Sequence, residues 1–520
     1  MATITTDVLV IGSGLAGCAA AITASRQGIK VIVLTKEGQI EESNTWYAQG
    51  GIIFRGVEDS AEKLADDIFA AGAGICNPMA VRILAQEGPR QVKELLIDDI
   101  GVDFDRNREN PDQLDLTSEA AHSVPRIIHA RDATGRSIES AMAKALQREA
   151  NITLLTRQTV VDLLSLSHHS KNPADIYPTP TCVGAYVLDQ KTGEINTIMA
   201  KETILATGGL GRIFLHTSNP VSARGDGIAM AYRAGARCIH LQYVQFHPTT
   251  LYHEGDRFLI SESMRGEGAR LIDVAGHEFM TRYHPSGSLA PRDIVARGIH
   301  QMMLETASSC AYLDVTHRPS DWIRNRFPRI YEQCLNSGID ITKQPIPVVP
   351  AAHYSCGGVA VDDRGKTSML RLRAVGEVSC TGVHGANRLA STSLLECLVW
   401  GVRAGEGAAH SIRTQDDYYM PDISPWEYEH EPVDPAWIAQ DWLTIRQTMW
   451  NYVGLVRSKK RLDRAHEILR ELHLEIGRFY ARSEISDALV GLRNGAQTAL
   501  VVLLAAMEAR QSYGCHYRRD

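Results

Sequence analysis

The sequence predicts an α/β protein whose sheet is built from distant parts of the chain, with an inserted α+β domain and a helical C-terminal part. First, the apolar segment Asp7–Ile11 runs into GSGLAG and then into the helix-like CAAAITASRQG. Second, further glycine-rich segments lie on both sides of a long intervening stretch. Third, TIRQTMWNYVGLVRSKKRLDRAHEILREL has apolar residues at helical spacing.

Composition and charge exclude several classes of protein. The 520 residues suffice for about three domains. The 54 basic residues do not outnumber the 61 acidic ones, so no nucleic-acid partner is expected. The ten cysteines lack any metal-ligand spacing, which predicts no metal and fits reduced thiols in the cytoplasm. The apolar run Ala499–Met507 is shorter than the roughly 20 residues that span a bilayer, so no membrane association is expected.

The first glycine-rich segment has the spacing of a Rossmann-like dinucleotide site. Gly12 permits the tight turn, Gly14 lets the backbone approach a pyrophosphate, and Gly17 permits close packing of helix on strand. The next strand, KVIVLTKE, carries Thr35 where an acidic ribose ligand is usual, followed by Lys36 and Glu37. The sequence therefore predicts a dinucleotide but leaves its ribose ligand open.

Two later segments favour FAD over a nicotinamide cofactor. KETILATGGLGRIF is a strand ending in Thr207, and the following RGDG places Asp226 at the start of a helix. RAVGEVSCTGVHGANRLASTSLLECLVWG places Glu377 after a short strand and begins a small-residue helix near Ser393. A nicotinamide enzyme needs one phosphate site, whereas FAD in an extended pose needs several distant segments. The alternative is that these are structural glycine turns.

These motifs resemble the succinate dehydrogenase and fumarate reductase flavoprotein superfamily and, within it, the L-aspartate oxidases, from residue 7 to about residue 470. In respiratory members a histidine at the position of Asn44, in SNTWYAQGG, binds the flavin covalently, which an amide cannot do. The resemblance therefore implies noncovalent FAD. The implied cofactor residues are Gly12, Ser13, Gly14, Leu15, Ala16, Gly17, Lys36, Ser43, Asn44, Thr45, Ala48, Gln49, Gly50, Gly51, Thr207, Gly208, Gly209, Asp226, Glu377, Arg388, Ser391, Ser393 and Leu394.

The resemblance also implies a pocket for a four-carbon dicarboxylate. A buried dianion needs several donors because unpaired buried charge is costly. The implied substrate residues are Glu119, His122, Gln245, His247, Ser261, Arg292, His353 and Arg388, with Glu119, His247 and Arg292 catalytic. In YVQFHPTTL we expect the proline to end the strand that carries His247. The alternatives are a core histidine at His247 and a surface ion pair of Arg292 with Asp293.

One segment separates an amino acid from a plain dicarboxylate. The L-aspartate oxidases carry an EGGHS-like sequence where this chain reads EAAHS, keeping Glu119 and His122 but exchanging two glycines for alanines. A stiffer loop is expected here. A carboxylate at Glu119 can attract the α-ammonium that succinate lacks. The alternative is a surface glutamate.

The positions of the motifs predict the domains. Residues 1–240 and 353–415 form a discontinuous FAD-binding domain, 241–352 an inserted capping domain with hinges near 236–241 and 349–353, and 416–520 a helical domain. Closing the cap would complete the pocket and exclude water. Residues 416–435 read as a surface linker. The basic cluster Arg457–Arg461 is either near the site or only a solvated helix face.

Resemblance implies the activity. L-Aspartate would lose hydride from Cα to the flavin and become iminoaspartate, oxygen or fumarate would reoxidise the flavin, and quinolinate synthase would take the product toward NAD. A soluble fumarate reductase or succinate dehydrogenase flavoprotein is the near alternative. A flavin-binding module without turnover is the distant one, and it would need no dicarboxylate clamp.

Overall fold

The computed structural model describes residues 2–107, 109–119, 121–131, 133–253, 258–415, 417–427 and 431–520. Its strands are β1 Thr3–Ile11, β2 Val31–Leu34, β3 Ile52–Ile53, β4 Ile127–Ile128, β5 Ile152–Leu155, β6 Gln158–Ser165, β7 Cys182–Asp189, β8 Ile195–Leu205, β9 Cys238–Ile239, β10 Val244–Leu251, β11 Arg270–Ile272, β12 Ala311–Asp314, β13 Ile346–Ser355, β14 Gly358–Ala360, β15 Leu372–Ala374 and β16 Ser379–Cys380. Its α-helices are α1 Leu15–Ser25, α2 Ala61–Ala71, α3 Pro78–Gln91, α4 Thr134–Arg148, α5 Leu166–His169, α6 Asp226–Arg233, α7 Ser263–Gly266, α8 Arg292–Thr306, α9 Ser320–Arg326, α10 Pro328–Asn336, α11 Thr392–Thr414, α12 Pro435–Val453, α13 Lys459–Tyr480 and α14 Asp487–Glu508. A π-helical turn, Val92–Asp99, continues α3.

The central sheet confirms the predicted α/β class. Its order is β5-β2-β1-β8-β7-β6, and β15 pairs with the C-terminal end of β8. The pairs β5-β2, β2-β1, β1-β8 and β8-β15 are parallel, whereas β7 and β6 are antiparallel. Since the carboxyl ends of parallel strands share one edge, the turns after β1, β2, β8 and β15 meet there.

Helices α1 and α11 cover this sheet, and their small residues explain the close packing. An added Cβ at Gly401 would lie 2.7 Å from Ala16 O, and one at Gly405 would lie 2.5 Å from Ala20 O. At the turn itself, an added Cβ at Gly17 would lie 2.0 Å from Gly12 O, so only glycine allows α1 to begin so near β1. The glycine-rich turn is thus held at the sheet edge by helix packing.

A second sheet, ordered β10-β13-β12-β11, carries the inserted segment. The expectation that proline ends the strand after His247 is wrong, because β10 continues through Pro248 to Leu251. The register between β10 and β13 shifts between His247 and Thr250, so the proline lies in a bulge where it needs no ladder hydrogen bond. The strand β13 runs across the expected hinge at 349–353; the division into domains stays a prediction.

The C-terminal part is a bundle of α12, α13 and α14, with the predicted helical periodicity. Within the described residues, α14 is the one helix whose length and composition would allow it to cross a membrane, and 72% of its most apolar window is buried inside the protein. The sequence reading found a shorter apolar run here because Asn494, Gln497 and Thr498 interrupt it. All three are buried, and Asn494 Nδ2 donates to Asp226 Oδ1 at 3.0 Å.

The segment predicted to be a surface linker, residues 416–435, contacts β7 and the residues that follow α5. Tyr186 donates its hydroxyl hydrogen to Ser424 O at 2.6 Å, and Lys171 pairs with Asp422 at 3.0 Å. Residues 416 and 428–430 of this segment lie outside the described residues.

Candidate active site

A single cavity of about 500 Å³ lies at the carboxyl edge of the parallel strands and continues to the second sheet. We call its cofactor half the lining contributed by residues 12–16, 35–37, 43–45, 47–51, 207–208, 226, 377, 391 and 393–394. We call its substrate half the lining contributed by Glu119, His247, Ser261, Glu262, Arg265, Arg292, His353 and Arg388. Nearly all the residues predicted to bind cofactor or substrate therefore border one space.

The glycine-rich turn leaves room for a ligand at one glycine only. An added Cβ at Gly12 would lie 2.1 Å from Ala206 O, which is protein backbone. An added Cβ at Gly14 would meet nothing closer than 3.5 Å. Gly14 precedes the first residue of α1, where Leu15 N donates to Thr45 Oγ1 at 3.2 Å. Gly14 borders the cavity at this helix N-terminus, where a phosphate group would lie.

Asn44 and Glu377 form the floor of the cofactor half. Asn44 Nδ2 donates to Glu377 Oε2 at 2.7 Å, and Ser355 N donates to Glu377 Oε1 at 3.0 Å. Burial raises the pKa of Glu377 from 4.5 to about 7. The buried Asn44 Oδ1 and Thr207 Oγ1 have no hydrogen-bond partner among the described residues. Buried polar atoms normally have partners, so these two fit the polar edge of a bound cofactor.

Lys36 and Asp226 close the far end of the cofactor half. Lys36 Nζ pairs with Asp226 Oδ2 at 2.5 Å, and Arg224 contacts the same oxygen at 3.3 Å. Burial lowers the pKa of Lys36. Burial would raise the pKa of Asp226, but Arg224 and Lys36 outweigh it and hold this pKa well below its usual range. Lys36 and Asp226 both border the cavity but are paired with each other, so the ribose ligand stays open.

Two histidines from neighbouring strands line the substrate half. His247 lies on β10 and His353 on β13, and their rings are edge-to-face with centroids 5.5 Å apart. Ser218 Oγ is hydrogen-bonded to His353 Nδ1 at 2.7 Å. Burial, reinforced by nearby arginines, lowers the pKa of both histidines well below the usual range. They are therefore neutral at pH 7 in the ligand-free protein, and each offers one N–H donor.

Arg292 is held by a carboxylate, but not by the neighbouring Asp293. Arg292 Nε donates to Glu262 Oε2 at 2.5 Å, and Arg265 Nη2 lies 3.2 Å from Glu262 Oε1. Asp293 instead pairs with Arg297. Burial would lower the pKa of Arg292, but Glu262 and Glu119 raise it above its usual value. The result is a largely buried Arg292–Glu262–Arg265 chain, and all three of its members border the cavity.

Arg388 is supported from below by an aromatic ring. Its guanidinium carbon lies 4.7 Å from the centroid of the Tyr354 ring, and its Nη1 donates to Ser393 Oγ at 3.0 Å. The Tyr354 hydroxyl donates to Glu396 Oε2 at 2.9 Å, and His384 Nε2 lies 2.8 Å from the same oxygen. The pKa of Arg388 is lowered, mainly because the side chain is buried and also because Arg292 is nearby.

Glu119 is the second carboxylate of the substrate half, besides Glu262. Its Oε2 accepts from Ser391 Oγ at 2.7 Å. Its Oε1 would lie 3.2 Å from an added Cβ at Gly50, within the segment predicted to meet the flavin. Ala121 has a φ of +66°, in the left-handed region that favours glycine, while Ala120 lies outside the described residues. Ala121 therefore adopts a strained backbone conformation, at a position where the EGGHS-like segment described above has glycine.

Four predicted site residues do not border the cavity. His122 Nε2 is hydrogen-bonded to Ala390 O at 3.1 Å, and Gln245 Nε2 donates to Asn387 Oδ1 at 2.7 Å and to Arg388 O at 2.9 Å. Both side chains hydrogen-bond to the 387–391 loop and neither lines the cavity, so neither is placed to contact a substrate directly. Gly17 and Gly209 serve packing, since an added Cβ would meet Gly12 O at 2.0 Å and the Glu377 carboxylate at 2.2 Å.

Sequence reasoning missed three residues at the substrate half. Ser218 lies in an irregular loop after β8, Tyr354 directly follows a predicted ligand, and Arg265 lies in the four-residue helix α7. None of these has a local motif. Alternation along β13 would even have placed Tyr354 on the face opposite to that of His353.

Fold and site together define an FAD-dependent oxidoreductase. A family model described as "FAD binding domain" matches residues 7–394, and one described as "Fumarate reductase flavoprotein C-term" matches residues 443–520. The solved structure of Escherichia coli quinol fumarate reductase is similar with a TM-score of 0.88, at 26% identity over 100% of this chain and 92% of that one. The FAD is held noncovalently, since Asn44 offers no nucleophile for attachment.

Curated relatives narrow the class to one family. The L-aspartate oxidase of Pseudomonas aeruginosa is 44% identical over 99% of this chain and 95% of its own length. That of Yersinia pestis is 43% identical over 99% of this chain and 96% of its own length. The chain belongs to the L-aspartate oxidase family.

Proposed function

We propose that this chain oxidises L-aspartate to iminoaspartate, the first step toward quinolinate and NAD. The observation that carries the proposal is Glu119, a carboxylate that borders a cavity half with three arginines, two histidines and a second carboxylate, Glu262, which is already paired with Arg292 and Arg265. The cations suit the two carboxylates of a four-carbon acid. The carboxylate suits a third charge of opposite sign, the α-ammonium.

The substrate half has enough donors for both carboxylates. Arg388 offers a planar fork stacked on Tyr354, and His247 and His353 offer neutral N–H groups. A bound dianion would stabilise the protonated imidazoles, so their pKa values would rise when substrate enters. Ser261 borders the same space and adds a hydroxyl donor. Glu119, held by Ser391, then orients the amine and thereby presents Cα.

FAD, when bound, supplies the two-electron acceptor that takes hydride from the substrate carbon. Arg292 stays protonated, because Glu262 and Glu119 raise its pKa, so it does not serve as the base that deprotonates the amine. Its contribution is electrostatic: it neutralises a substrate carboxylate and sits between Glu262 and the reacting region. When fumarate is the electron acceptor, the Arg292–Glu262–Arg265 chain can supply the proton that the fumarate carbon takes up together with the hydride.

Several finer assignments belong to the same proposal. The predicted residues that border the cavity are its cofactor and substrate ligands, the capping segment 241–352 closes over them, and oxygen or fumarate accepts the electrons. Quinolinate synthase in the cytoplasm uses the product.

The decisive test is anaerobic. FAD-loaded protein is mixed with L-aspartate and, separately, with succinate while the flavin absorbance is followed, and air is then admitted. We expect bleaching by aspartate alone and peroxide on aeration. Bleaching by succinate alone, or by neither while a reduced dye drives fumarate consumption, would place the chain in the fumarate reductase branch instead.

A further inference from the structure

The chain does not end with the helical bundle. After α14, residues 513–520, which we call the C-terminal strap, return toward the active site. They contact three elements that carry substrate residues: the loop with Arg388, the helix α8 that begins at Arg292, and the start of β10 with His247. Neither the cofactor nor the substrate half of the cavity includes any residue of the strap.

The strap holds the Arg388 loop by backbone contacts. Cys515 N donates to Ala386 O at 3.0 Å, and Cys515 Sγ donates to Asn387 Oδ1 at 3.2 Å. An added Cβ at Gly514 would lie 2.5 Å from Ala386 O, and the φ of Gly514 is +49°. The approach of the strap to this loop therefore requires glycine at position 514.

The strap holds α8 by side chains. The Arg297 guanidinium carbon lies 4.8 Å from the centroid of the Tyr517 ring. Arg519 Nη2 donates to Gln301 Oε1 at 2.7 Å. Both partners lie on the helix whose first residue is Arg292, so the strap reaches the domain opposite to that of Arg388.

Arg457 holds the strap in place and differs from the other residues of the predicted basic cluster Arg457–Arg461. It is fully buried, whereas Lys459 and Lys460 are exposed. Arg457 N donates to Tyr517 O at 3.0 Å, and its carbonyl accepts from Arg519 N at 3.0 Å. Its Nη1 donates to Gln242 O at 2.8 Å, two residues before β10, and also to His516 Nδ1. One cation thus joins the strap to the strand that carries His247.

We propose that the C-terminal strap sets the spacing between Arg388 and Arg292, and that Arg457, Cys515, Tyr517 and Arg519 are positioning residues for dicarboxylate binding. Two like charges from different domains repel each other, and a four-carbon diacid needs them at a fixed separation. The strap contacts both the Arg388 loop and α8, and these contacts hold the two arginines together against their repulsion. The inference rests on the proposed function only for the identity of the substrate.

The experiment compares five full-length, FAD-loaded proteins: wild type, the double variant Tyr517→Ala/Arg519→Ala, Tyr517→Phe, Gln301→Ala, and the exposed control Arg510→Ala. Each is measured for the Kd of succinate from the flavin absorbance change, for KM and kcat with L-aspartate, and for FAD content and Tm. We expect the double variant to raise Kd and KM at least about tenfold with FAD content retained. Tyr517→Phe keeps the stacked ring and should behave as wild type.

Equal Kd values in the double variant and Arg510→Ala would overturn the proposal. If the double variant loses FAD or unfolds, Gln301→Ala decides, because it removes the α8 partner of Arg519 and otherwise only an exposed hydrogen bond to Glu305. It should raise the Kd about threefold, and an unchanged Kd there would also overturn the proposal. Aspartate that fails to bleach the wild type would refute the proposed function alone, because succinate binding still tests the strap.

Discussion

The two halves of the cavity are built in different ways. The cofactor half consists of turns at the ends of adjacent strands, where the main chain and small side chains leave space, as at Gly14. The substrate half consists of long charged and aromatic side chains from β10, α8, β13 and the 384–391 loop, each held by a separate partner. The cofactor half owes its shape to small residues that leave space, and the substrate half owes its shape to large side chains that other residues hold in place. Changes in the two halves should therefore affect different measurements.

The largest effect is expected at Arg292. Arg292→Leu removes the cation that Glu262 holds at the cavity and leaves a buried carboxylate with one partner fewer. We expect both aspartate oxidation and fumarate reduction to fall by about 10³-fold or more with FAD content unchanged. Steady-state kinetics beside an absorbance spectrum measure this, with the exposed Arg282→Leu as the control. Full turnover in the variant would remove Arg292 from the site.

Glu377 tests the cofactor half through pH. Its pKa is raised by burial from 4.5 to about 7, so the folded protein holds this proton more tightly than the unfolded chain does. Stability is therefore lost as the pH rises from 4.5 through 7, by up to about 3 kcal/mol. In FAD-free protein, Glu377→Gln should abolish this part of the decline in Tm between pH 5 and pH 8. Parallel pH profiles of variant and wild type would contradict it.

Glu119 tests whether the substrate half distinguishes an amino acid. Glu119→Gln keeps the size and an acceptor for Ser391 but loses the charge. We expect kcat/KM for L-aspartate to fall about thirtyfold, as for a lost charge-assisted hydrogen bond, while fumarate reduction changes only a few-fold. Glu109→Gln, on an exposed loop, is the matched control. Equal losses with both substrates would assign Glu119 a merely structural role.

The smallest effect separates space for the ligand from space for the protein. Gly14→Ala adds a methyl group that meets no protein atom within 3.5 Å, so Tm of the FAD-free protein should not change while the Kd of FAD rises about tenfold. Gly12→Ala, whose methyl group would meet Ala206 O at 2.1 Å, should lower Tm instead. Fluorescence titration and thermal unfolding distinguish the two. The same outcome for both glycines would break the contrast.

The same difference explains how much could be predicted. The cofactor half depends on contiguous motifs, so the strand, turn and helix around Gly12 were predictable from residues 7–25 alone. The substrate half was located only through resemblance to a family, because no local pattern links His247, Arg292 and Arg388. Gln245 and His122 were predicted to contact the substrate but do not line the cavity, because a polar side chain in the right segment can point either into the cavity or away from it. The bulge at Pro248 depends on pairing with β13, which local sequence does not encode.

Three successive residues of β13 serve three purposes at once. His353 borders the substrate half of the cavity, the Tyr354 ring stacks on Arg388, and Ser355 N donates to Glu377, which borders the cofactor half. Inserting or deleting one residue upstream in this strand would turn all three to the wrong face together. A side chain can therefore be exchanged at one of these positions without moving the other two, whereas a change in the length of the strand would move all three.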